Sequence, residues 1–167
     1  AITSYLSWMW RNSKGFEAQA YTGLSVNGIR AHQMSIAPEM IWVKNRDQAD
    51  GWAVYHKDLG ISYVINFDTG IGGTGNQYWG TAAQTASQFK LGSDSDTNGS
   101  SDSYTAYLFA TLSGISKVGS YAGNGADGRV IDCGFSSGAR FVLIKSSSHS
   151  GSWFVNDSTR GITFARS

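Results

Sequence analysis

The densest run of oxygen side chains is LGSDSDTNGSSD, where Asp94, Asp96 and Asn98 occupy alternate positions and Gly99 follows. Alternating oxygen ligands can wrap a hard cation while glycine permits the bend, which is the first half of a calcium loop. The bidentate glutamate of such a loop is missing: Thr105 stands later, and Asp102 is the carboxylate near enough to contribute. Asp94, Asp96 and Asn98 are thus the candidate metal ligands, and calcium is the one cofactor they suggest. The competing expectation is a solvated turn between strands.

Reaction chemistry has less to stand on. Gly70, Gly72 and Gly75 spell G-x-G-x-x-G, but NQYWG follows rather than a helix start, so a flexible loop is expected instead of a dinucleotide site. Gly134, Ser136 and Gly138 spell G-x-S-x-G, yet the strand-like FVLIK follows where a nucleophile elbow needs a helix. His32, His56 and His149 lie far apart and lack metalloenzyme spacing. No pair among Glu17, Glu39, Asp47, Asp50, Asp58 and Asp68 is placed by its spacing for glycoside cleavage. The expectation is a protein without catalytic residues.

Aromatic residues offer a binding chemistry. Flat rings pack against the C–H faces of sugars while nearby Asn, Asp and Arg bind hydroxyls. Trp79, beside Tyr78 in a glycine-rich stretch, is the expected exposed contact, with Asn76, Arg46 and Asp47 as polar partners. Trp52 and Trp153 recur at equivalent places in a repeat and are assigned to packing.

The elements that must position these groups are strands. The 167 residues include 21 Gly and one Pro, and the aromatic and β-branched residues fall in short runs. With 41% apolar residues the chain has enough for a core, so residues 1–167 are expected to form one all-β domain, an antiparallel β-sandwich of jelly-roll or concanavalin-like type. A short helix fits only TAAQTASQF, residues 81–89. A net charge of +1 with 15% charged residues gives no field favouring nucleic acid or an anionic membrane. The apolar run at residues 1–10 has no basic flank and is too short to span a bilayer, so neither membrane insertion nor an intact signal peptide is expected. Cys133 stands alone, which excludes an internal disulfide and predicts a small buried apolar side chain.

The chain repeats itself. Tyr21 matches Tyr121 at an offset of 100, while Lys44 matches Lys145 and Trp52 matches Trp153 at 101. SYLSWMW (residues 4–10) precedes the first copy as YTAYLFA (residues 104–110) precedes the second. The units run from about 4–103 and about 104–167, the second incomplete. Each should contain a strand around Tyr21 or Tyr121, a glycine turn, a short strand, then MIWVK or FVLIK as a central strand and WAVYH or WFVND after it. The edge left open in the second unit would be filled by the N-terminal strand, a neighbouring chain or further residues.

The pattern WRNSKGFEAQAYTG, IAPEMIWVKNRDQADGWAVYHKDLG and LGSDSDTNGSSDSYTAYLFATLSGISKVGSYAGNGADGR resembles a duplicated β-rich domain family of tailed-phage structural proteins, whose members often stand next to laminin-G or concanavalin-like domains. The resemblance spans nearly the whole chain, with Ala37-Pro38-Glu39, Val43-Lys44-Asn45-Arg46 and Trp52 to His56 among its strongest parts. The second copy departs from it at Ser137-Gly138-Ala139, where the pattern favours Pro, and lacks the Arg46-Asp47 pair. The resemblance implies a virion surface protein, a tail-fibre or surface-fibre module binding host-surface glycans, assembled with other virion subunits and itself a homo-oligomer such as a trimer. The alternatives are a capsid decoration or fibre-assembly module without ligand, and a polysaccharide depolymerase.

Overall fold

The computed structural model describes residues 7–67, 70–73, 76–149, 151–159 and 161. Part of one expected strand, residues 4–6 of SYLSWMW, lies outside them, as do Asp68 and Gly75. The fold is all-β, with one large antiparallel sheet faced by a second, smaller layer.

The large sheet is ordered β1 (Phe16–Thr22), β8 (Ser103–Phe109), β3 (Met40–Asn45), β4 (Trp52–His56), β5 (Tyr63–Asn66) and β6 (Ile71–Gly73). Strand β8, from the start of the second sequence unit, lies between β1 and β3 of the first, pairing Val43 with Ala106 and Gln19 with Ala106 from either side. A second antiparallel ribbon joins β2 (Gly28–Ala31) to β7 (Gln88–Leu91). The sandwich therefore has one broad layer and one narrow one.

Alternation along the strands divides the broad sheet into two faces. Ile41, Val43, Ala53, Tyr55, Val64, Tyr104, Ala106 and Leu108 point inward and bury against Phe89 and Leu91 of the ribbon, with Met34 and Trp79. The opposite face is a layer of rings. Trp42 packs on Phe109 at 4.5 Å and Phe67 at 5.2 Å, and Trp52 on Phe67 at 5.6 Å. Trp10 covers this layer, meeting Phe16 at 5.8 Å and Phe109 at 6.2 Å. The Trp42 indole N–H is buried there without an acceptor among the described residues.

After β8, the described residues of the second unit form one hairpin, β9 (Phe141–Ile144) with β10 (Phe154–Asp157). Its register repeats the first: Phe141 pairs with Asp157 as Met40 pairs with His56, and Ile144 with Phe154 as Val43 with Ala53. Lys44 Nζ donates to the Asp50 carbonyl at 2.7 Å, and Lys145 Nζ donates to the Gly151 carbonyl at the equivalent place, so one lysine staples each hairpin loop. The hairpin docks on the aromatic layer: Trp153 packs on Phe67 at 4.8 Å and donates its indole N–H to the Asn66 carbonyl at 2.9 Å, while Phe141 meets Trp10 at 5.9 Å. Trp52 and Trp153 thus converge on one ring, Phe67.

Four expectations change. Among the described residues FVLIK does not take a central place, since β9 pairs only with β10. The strands expected around Tyr121 and just after it do not form, and residues 117–140 are irregular and mostly exposed, because extended chain needs a neighbour for its backbone groups. Residues 81–87 form turns rather than a helix, since Thr85 and Gln88 close a turn into β7; the helix is one turn long, α1 (Ser95–Asn98). Cys133 is partly exposed rather than buried.

Glu39 fixes β3 to the chain leaving β8. Its carboxylate pairs with Lys57 at 2.7 Å and accepts from the Thr111 amide at 2.8 Å and from the Thr111 hydroxyl. Burial works against the charge, but bonds from Lys57 and Thr111 outweigh it and hold the carboxyl below its ordinary range. A lowered folded-state value stabilises above the unfolded value of about 4.3 and is lost as pH falls through the folded one. Glu39→Gln is expected to cost about 1–2 kcal/mol at pH 7, with the gap to wild type closing below about pH 4 in urea titrations at stepped pH.

Candidate functional site

The residues singled out for binding converge at one end of the sandwich. Strand β3 delivers Asn45, Arg46 and Asp47; the turn before β7 delivers Asn76, Tyr78 and Trp79; α1 and its flanks deliver Asp94, Asp96, Asn98 and Asp102. The Asp47 carboxylate accepts from the Ser103 amide at 2.6 Å, which holds Asp47 below its ordinary range. Arg46, Asp47 and Asn76 are exposed.

At the centre Asn45 is buried, its Nδ2 lying 2.9 Å from an Asp102 carboxylate oxygen and 3.2 Å from one of Asp50. Its Oδ1 accepts from the Asp47 and Gln48 amides at 2.9 and 3.2 Å, closing the loop after β3. The Tyr104 hydroxyl donates to the Ser95 carbonyl and accepts from the Gly99 amide at 2.7 Å. Burial, together with Asp102, pushes the Tyr104 phenol up to about 12, so it stays a donor at neutral pH.

The three candidate metal ligands are engaged otherwise. Asp94 caps α1, accepting from the Asp96 amide at 2.9 Å, because a short carboxylate satisfies an amide of a first helical turn. Asn98 is fully buried: its Oδ1 accepts from the Leu24 amide at 3.0 Å, and its Nδ2 donates at 2.6 Å to the carbonyls of both Val26 and Gly92. It points amide hydrogens where a ligand would point oxygen. Asp96 accepts from the Tyr78 hydroxyl at 2.9 Å, and its affinity for a proton is raised by burial and by the charges of Asp94 and Asp50. Among the described residues no group of three His, Cys, Asp or Glu is arranged to hold a metal ion.

A carboxyl whose folded value is raised costs stability above that value and costs nothing below its unfolded one. Asp96→Asn is therefore expected to raise the melting temperature at pH 7, with the gain disappearing below about pH 4. If calcium sat here the sign would reverse, and calcium would raise the melting temperature of the wild type but not of the variant.

Trp79 is not an exposed platform. It is 0% exposed, its ring packs on Tyr55 at 5.7 Å, and its indole N–H donates to the Tyr63 carbonyl at 3.0 Å. Burying so large a ring with its N–H paired is the cheaper arrangement, and only Tyr78 of the pair reaches the rim. Gly70 and Gly72 flank and enter β6, Gly134 to Gly138 lie in bends and turns, and His32, His56 and His149 belong to three separate segments, His56 at the end of β4. What the sequence reading missed is the pair of loop-stapling lysines, although Lys44 and Lys145 were visible as repeat partners.

The end of the sandwich can offer exposed guanidinium, carboxylate and amide groups to a polar ligand. Among the described residues its carboxylates are engaged in capping backbone groups or accepting from Asn45 and Tyr78. A family model described as Domain of unknown function (DUF7483) matches residues 1–165. No curated protein and no solved structure matches the chain. With the match running over almost its whole length, the chain belongs to the DUF7483 domain family.

Proposed function

We propose that the chain is a structural module of a phage particle surface, joining neighbouring subunits through the second unit's hairpin, and that it carries out no reaction. The phage setting rests on the sequence resemblance. The joining role rests on one observation: a hairpin in the same register as β3–β4 has β8 on one side in the first unit and, among the described residues, no strand there in the second, where Trp8 and Trp10 meet only Phe141 of β9 by their rings. Phe154 is 63% exposed where its counterpart Ala53 is 0% exposed, a contrast expected of an interface.

Phe154→Asp should leave the isolated chain's melting temperature unchanged, since the side chain is already in water, and lower the module's occupancy on purified particles roughly tenfold, about 1.4 kcal/mol of interface. Counting antibody-labelled modules per particle by electron microscopy measures this. Unchanged occupancy would remove the joining role.

Host-glycan binding is the second reading, favoured by the exposed Arg46, Asp47 and Asn76 beside Tyr78. It expects Arg46→Ala to abolish binding to a glycan array without affecting particle occupancy. Depolymerase activity has no support from the carboxylates of the described residues.

A further inference from the structure

We infer that Asn124 is a site of self-modification, where the backbone nitrogen of Gly125 closes on the Asn124 side chain and turns its amide into an acid without an enzyme. The reaction needs an asparagine followed by a residue without a Cβ, so that the next nitrogen can reach Cγ, and a backbone free to turn into the cyclic geometry. A bond forms from the Gly125 nitrogen to Asn124 Cγ, and the side-chain nitrogen leaves as ammonia, taking the Gly125 amide proton with it. Solvent water then opens the resulting succinimide at either carbonyl, leaving an aspartyl or isoaspartyl residue at position 124. Water enters and ammonia departs, with nothing oxidised or reduced.

The chain has three Asn-Gly steps, and the fold treats them differently. Asn98-Gly99 is locked: the Asn98 side chain is fully buried, with its oxygen and nitrogen engaged by Leu24, Val26 and Gly92, and the Gly99 N–H donates to the Tyr104 hydroxyl at 2.7 Å. Asn27 is exposed, but Gly28 is buried in the β2–β7 ribbon opposite Leu91, so its nitrogen swings toward the side chain only if the end of the ribbon opens. Asn124-Gly125 has neither restraint. Residues 119–132 are all exposed and belong to no strand or helix, and a Cβ on Gly125 would meet no described atom within 4 Å. The Asn124 side-chain oxygen accepts from the Ala126 amide at 3.2 Å, which folds the side chain back over the Gly125 peptide and polarises Cγ toward attack. One conversion adds a carboxylate to a chain of net charge +1 and cancels that charge, and a chain near zero net charge associates more readily.

The test ages the whole chain at mildly alkaline pH and follows the tryptic peptides 15–30, 91–117 and 118–129, each holding a single asparagine, by mass spectrometry. The mass gain of an amide-to-acid change should appear first in 118–129, ahead of 15–30 and at least roughly a hundredfold faster than in 91–117, because a buried step waits on local opening. In urea all three peptides should convert at comparable rates, since only the fold separates them. Gly125→Ala should slow conversion at Asn124 roughly tenfold, because a Cβ crowds the attacking nitrogen and the left-handed backbone at that position disfavours it. The melting temperature should stay unchanged in that variant, since the segment lies outside both sheets. An isoaspartyl share in the product, resistant to a protease that cuts before aspartate, marks the ring intermediate. Conversion of the folded chain no faster at Asn124 than at Asn27 or Asn98, an undiminished rate in Gly125→Ala, or a product that is aspartyl alone overturns the inference.

Discussion

Trp79→Ala is expected to remove a large share of the protein's stability margin: about 3–5 kcal/mol for a large buried ring, against a typical total of about 5–15 kcal/mol. The ring is fully buried among Tyr55, Tyr78 and the inner faces of β4 and β5, and its loss also leaves the Tyr63 carbonyl without its donor. Urea unfolding should show a midpoint lowered by a third or more of its value, and Trp79→Phe should recover most of the packing but not the hydrogen bond, a remaining cost of about 1–2 kcal/mol. An alanine variant as stable as wild type but unable to bind glycan would restore Trp79 to the surface role expected from sequence.

Asn98→Ala should have an effect of similar size from a different cause. Truncation strands the Leu24 amide and the Val26 and Gly92 carbonyls in a buried site, each worth about 1–3 kcal/mol. The sum is not additive, and about 3–5 kcal/mol is the expected loss. Asn98→Asp should be no better, because a carboxylate would face two carbonyls in place of the amide hydrogens. A calcium ligand behaves otherwise: its loss leaves the metal-free protein as stable as before and removes only a calcium-dependent rise in melting temperature.

The contrast between these two residues shows where the sequence was legible. MIWVK and WAVYH carry apolar runs whose period and length admit only a buried strand, and the structure places them as β3 and β4 at the centre of the sheet. Repeat offsets carried the second hairpin's register as well, because loops of equal length fix equal pairing. Asp94, Asp96 and Asn98 were conspicuous, but alternating Asp and Asn serve a helix cap and a staple as readily as a cation, and only the direction of their hydrogen bonds decides between them. Trp79 was illegible for a related reason: glycine-rich sequence reads as surface loop, while here glycine permits close packing. A Cβ on Gly92 would lie 1.7 Å from the Gln77 carbonyl oxygen, so the turn carrying Trp79 is pressed against the start of the loop after β7.

Convergence of Arg46, Asp47, Tyr78 and Asp96 at one end was also beyond reach of local patterns, since the elements that carry them meet only once β3, β7 and α1 are assembled. The irregular stretch around Tyr121 teaches the same lesson from the other side. Its residues match a strand of the first unit, yet strand formation depends on a partner as well as on propensity.

The central proposal is that the second unit's hairpin joins neighbouring subunits, through the side of β9 that no strand of the described residues occupies. Amide hydrogen exchange of the purified chain across a dilution series tests this most directly. At the lowest concentration β3 amides should exchange only on global unfolding while those of Phe141–Ile144 exchange far faster, and rising concentration should slow the latter without changing the former. Amides of β9 as protected as those of β3 at the lowest concentration would mean that the edge is already closed within one chain, and would contradict the account.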